Sequence, residues 1–133
     1  AIELNPKDSI DFNGNTGPFI QYTYARIQSL RRKYNTDISL DKVDINDSEQ
    51  KIIKHLLEFP SIIKDAAEDY SPAIVANYIY ELVKDYNGYY QNISILSAET
   101  SKLINFRLAL SIKVGEVIKT GMSLLGVRVP NKM

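Results

Sequence analysis

The chain contains no cysteine, which excludes disulfide frameworks, thiolate metal sites and cysteine nucleophiles. It has a single histidine, His55, between Lys54 and Leu56 in the middle of an apolar segment. With no second histidine, a transition-metal site would have to be built from carboxylates, and His55 reads as a structural or partly exposed side chain. Apolar runs are only a few residues long, and the N-terminus has neither a charged-then-apolar signal nor a transit-peptide composition. A cytoplasmic protein with no membrane partner is therefore expected. At 133 residues it is sized for one domain that can bury a substantial core.

Net charge is absent as well, with 16 basic and 16 acidic residues, but the average conceals segregation. Residues 17 to 35 hold Arg26, Arg31, Arg32 and Lys33 and no acid. Residues 97 to 133 hold six cations against Glu99 and Glu116, whereas residues 36 to 72 hold nine carboxylates against four lysines. If the first and last helices lie side by side, they would present a basic surface backed by acidic elements. A solvated surface of mixed charge is the plainer account of the same counts.

No segment alternates as a sheet strand requires, and nothing repeats at a fixed period. The expected fold is all-α, a single bundle of about five helices. Residues 1 to 12, with Pro6 and weak alternation, read as an extended lead-in from something upstream, and 13 to 133 as the helical domain. A first helix starts near Pro18. The stretch from Asn35 to Asp47 reads as a loop, and Asp47 or Ser48 caps a second helix to about Glu58 that buries Ile52, Ile53, Leu56 and Leu57. Pro60 breaks that helix, and a short one from Ser61 to Asp69 buries Ile62, Ile63, Ala66 and Ala67. Ser71-Pro72 opens a fourth helix to about Tyr90. Ser97 caps a fifth, to about Thr120, with too much apolar surface for one face and hence a central position; Gly121 is expected to loosen it.

The first helix divides into two lines. Ile20, Tyr24, Ile27 and Tyr34, with Leu30 beside them, recur at helical spacing and face the core. Phe19, Tyr22, Arg26, Ser29 and Lys33 recur on a second line that pairs flat aromatic surface with positive charge. Unstacked bases bind such surfaces, although aromatic stripes also arise from ordinary packing. Ahead of the helix, Asn13-Gly14-Asn15-Thr16-Gly17 exposes backbone donors where the positive end of a helix dipole would help hold an anion.

Catalytic chemistry is sparse. The Asn13 to Gly17 loop lacks the lysine of a phosphate-gripping nucleotide loop and follows no buried strand. Asp41, Asp44 and Asp47 stand at steps of three, whereas a calcium loop wants acids at alternate positions around a central glycine. No metal and no catalytic residue is expected in this chain.

These residues support a family resemblance. Gly14-Asn15-Thr16-Gly17-Pro18-Phe19-Ile20-Gln21-Tyr22-Thr23-Tyr24-Ala25-Arg26-Ile27 resembles the opening of the C-terminal anticodon-binding domain, of DALR type, of arginyl-tRNA synthetases. Arg107-Leu108-Ala109-Leu110, then Gly121-Met122-Ser123-Leu124-Leu125-Gly126-Val127 and a chain stopping at Pro130-Asn131-Lys132-Met133, look like the closing helix and terminal methionine of the same enzymes. His55-Leu56-Leu57-Glu58-Phe59-Pro60 and the run from Ser71-Pro72 to Tyr90 fit in order between them. The related helical domain of cysteinyl-tRNA synthetases is the nearest alternative. The Asn-Thr-Gly-Pro opening and the Leu-Leu-Gly ending together favour the arginyl enzymes.

The resemblance implies a class I synthetase, an arginine–tRNA ligase, whose catalytic domain lies upstream in the same chain and uses ATP with magnesium. Its two adenylate-forming signatures are absent here, so this piece should carry no cofactor and charge no tRNA by itself. The implied partner is the anticodon loop of an arginine tRNA, met by Asn13, Gly14, Asn15 and Thr16, by Phe19, Tyr22 and Arg26, and by Met133. Lys33 and Lys132 are candidate phosphate contacts, and a monomer is expected. Phe19 stands where the family often has tyrosine, which keeps stacking but removes a hydroxyl. A competing expectation is a helical interaction module whose aromatic stripe docks another protein domain.

Overall fold

A computed structural model describes residues 16 to 34 and 42 to 126. Asn13, Gly14, Asn15, Lys132 and Met133, the lead-in and most of the loop after the first helix lie outside the described residues. Within them the chain forms five helices: α1 (Thr16–Lys33), α2 (Asp47–Leu57), α3 (Phe59–Glu68), α4 (Pro72–Asn92) and α5 (Ser101–Leu124). No strand occurs among the described residues.

Local chemistry sets most boundaries. The cap of α2 is Asn46, just ahead of the expected Asp47 or Ser48. Its side chain accepts from the Glu49 amide while the Glu49 carboxylate accepts from the Asn46 amide. Two orphan donors of the first turn are thereby satisfied reciprocally. Pro60 does separate two helices, but it sits inside the first turn of α3, where a missing N–H costs nothing. The α3 helix ends with the Ser71 amide on the Ala66 carbonyl and the Tyr70 amide reaching back to Ala67. This closure puts Tyr70 at φ 51°, a left-handed conformation that costs a non-glycine residue roughly 1 kcal/mol. The α5 helix is capped by Thr100, whose hydroxyl accepts from the Leu103 amide; Ser97 lies three residues ahead of that cap and does not serve as it.

The α4 helix packs against all four others, and α5 packs against α1, α2 and α4, so the expected central α5 shares the middle with α4. Ile20, Ile27, Ile79, Leu82, Val83, Tyr86, Leu108, Val114, Ile118 and Met122 fill the core between them. Two glycines let α5 approach closely. A Cβ at Gly115 would lie 3.1 Å from Ile27 of α1, and one at Gly121 would lie 2.6 Å from Ile79 of α4. Gly121 is thus a buried contact point inside a continuous helix rather than the loosening element expected from its propensity.

Two expected apolar faces are only partly covered. None of α3 is buried: Ile62, Ile63 and Ala66 are half-buried and Ala67 is exposed. The reason is position: among the described residues α3 lies on the outside and packs chiefly against α4 and, less, against α2. In α2, Ile52 is buried, Ile53 and Leu56 are half-buried, and Leu57 is 74% exposed.

Candidate nucleic-acid interface

The two lines of α1 separate as their spacing requires. Ile20, Tyr24, Ile27 and Leu30 are buried, joined by Thr23 and Ala25, while Tyr34 is half-buried and donates its hydroxyl proton to Asn105 at 3.1 Å. On the outward line Tyr22 is 46% exposed, Arg26 and Ser29 are half-buried and Lys33 is exposed. Thr16 is half-buried in the first turn of α1.

Phe19 departs from this line. Its ring is half-buried and meets Tyr80 of α4 edge-on, with centroids 6.5 Å apart, and it packs against the core. The place beside Tyr22 and Arg26 is taken instead by Tyr90, near the end of α4. The Arg26 guanidinium carbon lies 4.2 Å from the centre of the Tyr90 ring and 4.8 Å from that of Tyr22. Nη2 donates to the Tyr22 hydroxyl and Nη1 to Asn87 Oδ1, both at 2.8 Å. All of these partners are neutral, so among the described residues the charge of Arg26 is oriented without being cancelled.

Around this group lies an open groove of about 470 Å³ lined by Tyr22, Arg26, Ser29, Arg32, Lys33 and Tyr90 together with Ala25 and Leu30. Arg31, Arg32 and Lys33 in the last turn of α1 also complement the negative end of its dipole, which gives those cations a structural reason to be there. Tyr86 beneath Tyr90 is fully buried, and burial drives its phenol well above the ordinary tyrosine range. That ring serves as a neutral floor, bonded to the Ser111 hydroxyl at 2.9 Å.

The first and last helices do lie side by side, but they meet through their core faces, with Ile27 against Gly115. The cationic groove is made by α1 with Tyr90 of α4, without α5. Arg107 of α5, counted among the terminal cations, points elsewhere. Its Nε donates to Glu49 Oε2 at 3.0 Å and its Nη1 to the Ser94 carbonyl at 2.9 Å. Glu49, counted with the acidic middle segment, is fully buried and also accepts from the Tyr89 hydroxyl at 2.7 Å. Burial and this carboxylate together push the Tyr89 phenol far above its usual range.

His55 takes a structural place. Its Nδ1 lies 3.1 Å from Asp85, its ring meets Tyr78 edge-on, and its carbonyl accepts the Tyr78 hydroxyl proton. Among the described residues no cluster of histidine and carboxylate side chains could hold a metal ion. None of their helices is long and apolar enough to cross a membrane.

Among the described residues the chain is an all-helical bundle whose first helix carries an open, cationic tyrosine groove, the class of helical domain that sets stacking surface beside positive charge. Residues 20 to 133 match the family described as the DALR anticodon binding domain, and the chain belongs to that family. It is similar to the arginine–tRNA ligases of Phocaeicola vulgatus and Flavobacterium psychrophilum, 52% identical to each over 99% and 100% of its length. It spans only 23% and 22% of those relatives. Among solved structures, the arginyl-tRNA synthetase of Thermus thermophilus superposes with a TM-score of 0.84 at 29% identity, covering 99% of this chain and 24% of that one. The Plasmodium falciparum enzyme superposes at 0.75 with 25% identity, again over 99% of this chain and 24% of that one. These relatives favour the arginyl over the cysteinyl alternative.

Tyr90 and Asn87 were not legible as site residues, because α4 carries tyrosines on several faces and only docking against α1 selects one. A signal existed in the dense Tyr86-Tyr89-Tyr90 cluster, which exceeds what one buried stripe needs.

Proposed function

We propose that this chain reads the anticodon loop of an arginine tRNA as the C-terminal domain of an arginine–tRNA ligase. The observation that carries the reading is the uncancelled guanidinium of Arg26 held against two tyrosine rings in an open groove. Bases splayed out of the loop stack on Tyr22 and Tyr90, Arg26 meets phosphate or base-edge acceptors, and Lys33 lies along the backbone path. Phe19 contributes the exposed part of a ring braced by Tyr80. Thr16, the preceding loop of Asn13, Gly14 and Asn15, and the terminal Lys132 and Met133 complete the contact set. Arginine codons share a central G, so their tRNAs share a central anticodon C, and one pocket for that base reads most of the identity.

The relatives' remaining three-quarters of length supports assigning ATP, magnesium and adenylate chemistry to the rest of the polypeptide. In this arrangement residues 1 to 12 lead in from that catalytic part, residues 13 to 133 grip the anticodon, and the grip positions the distant acceptor end for reaction. The whole enzyme works as a cytoplasmic monomer.

A module that docks another protein through its aromatic stripe would want an apolar face there. Among the described residues, the other large exposed apolar side chains, Leu57, Tyr70 and Leu124, lie away from the groove around Tyr22. The test is base substitution in an arginine tRNA transcript: replacing the central anticodon C should weaken binding to the intact protein by at least about tenfold. Equal affinity for all four bases at that position would refute base reading by this domain.

A further inference from the structure

We propose that Asn87 is the positioning residue of the groove: it fixes the Arg26 guanidinium in its RNA-facing orientation, and buried Thr23 fixes Asn87 in turn. Asparagine within a helix is unfavourable, and Asn87 is only 7% exposed in the C-terminal half of α4, so its presence there needs a reason. Its hydrogen bonds supply one. The Thr23 hydroxyl donates its only proton to the Phe19 carbonyl at 2.9 Å, so its oxygen can only accept from a further partner. Asn87 Nδ2 donates to that oxygen at 2.7 Å and to the Val83 carbonyl at 2.9 Å. Both of these neighbours are acceptors, so the amide has one permitted orientation and Oδ1 must face the Arg26 side chain. There it accepts from Arg26 Nη1 at 2.8 Å.

The relay therefore runs from the α1 backbone at Phe19 through Thr23 and Asn87 and returns to α1 at Arg26. It uses one donor of the guanidinium and Tyr22 uses another. Among the described residues that leaves three of the five for a ligand, presented from a plane that is already ordered. A long side chain that would otherwise lose its freedom on binding has lost it beforehand, which is what preorganisation supplies.

This inference rests on the reading that the Tyr22–Arg26 face meets the anticodon loop. A double-mutant cycle tests the two separately, with the intact protein titrated with an arginine tRNA transcript at fixed low salt. Asn87→Ala should weaken binding about tenfold and Thr23→Val about threefold, and both losses should shrink to within about twofold once Arg26→Ala is already present. Thr23 is fully buried and cannot touch RNA, so a loss from Thr23→Val that depends on Arg26 has no merely structural source. It also carries the cycle if Asn87→Ala fails to fold, which helical circular dichroism would reveal. Equal losses in both Arg26 backgrounds, or wild-type affinity for the Asn87 and Thr23 variants where Arg26→Ala binds weakly, overturn the positioning role alone. Wild-type affinity of Arg26→Ala overturns the anticodon-face reading, and the positioning role with it.

Discussion

Arg26 and Arg107 are both clasped by side chains from a neighbouring helix, yet they do opposite work. Arg107 is paired with a fully buried carboxylate, Glu49, which also takes the Tyr89 hydroxyl and closes the α2 capping box, so four groups are satisfied at one point between α2, α4 and α5. Arg26 is held just as firmly, but by the neutral oxygens of Asn87 and Tyr22 and by two aromatic rings. The difference teaches how geometry and charge are separated. A carboxylate partner orients an arginine and uses up its charge, whereas an amide partner orients it and leaves the charge available for an anion.

The largest effect expected of this comparison is on stability at the Arg107 end. Glu49→Ala leaves a mostly buried guanidinium and the Tyr89 hydroxyl without their acceptor and opens the cap, which should cost about 3–5 kcal/mol in urea unfolding. A loss below about 1 kcal/mol would mean that water replaces the carboxylate and that the two arginines are less different than drawn. Next in size is Tyr22→Ala at the groove. It should weaken binding of an arginine tRNA by about 1–3 kcal/mol while leaving helical circular dichroism unchanged, since the ring is nearly half exposed. Unchanged affinity would remove Tyr22 from the site.

The last effect is nil at neutral pH and appears only in alkali. Tyr78, Tyr86 and Tyr89 all have phenols raised by burial, reinforced for Tyr78 by the charge of Glu58 and for Tyr89 by Glu49. A raised folded-state value means that the neutral form is favoured in the fold, so their contribution is complete below the unfolded tyrosine value near 10 and is lost as pH rises above it. Stability should therefore be insensitive to these groups below about pH 9.5. Each should then subtract up to about 1.4 kcal/mol per pH unit above 10, read from urea midpoints. A flat profile to pH 11 would show that these hydroxyls are hydrated and that the Glu49 cluster is wetter than its geometry.

Much of the bundle was legible because helix signals are local. Pro60 and Pro72 mark starts, and the spacing of Ile20, Tyr24, Ile27 and Leu30 marks a buried face. Errors came where a local signal had a distant answer. Leu57 and Ala67 have the right spacing for burial, but among the described residues the neighbouring helices leave both exposed. Ser97 has the right chemistry for a cap, yet α5 starts after Thr100. At the groove, Tyr22 and Arg26 stood out through their step of four on one helix. Phe19 was grouped with them by the same periodicity and turns aside to Tyr80.

The sequence by itself determined an all-helical domain, the two faces of its first helix and the family to which it belongs, because the first two rest on residues within a few positions of one another and the third on short local motifs that follow in order along the chain. Tertiary structure alone decided which cations are free to meet a partner. Glu49 and Arg107 are 58 residues apart, and Arg26 and Asn87 are 61 apart. Charge counts along the chain treat the two arginines alike. Only the packing of α4 and α5 against their neighbours places a carboxylate beside one and an amide beside the other.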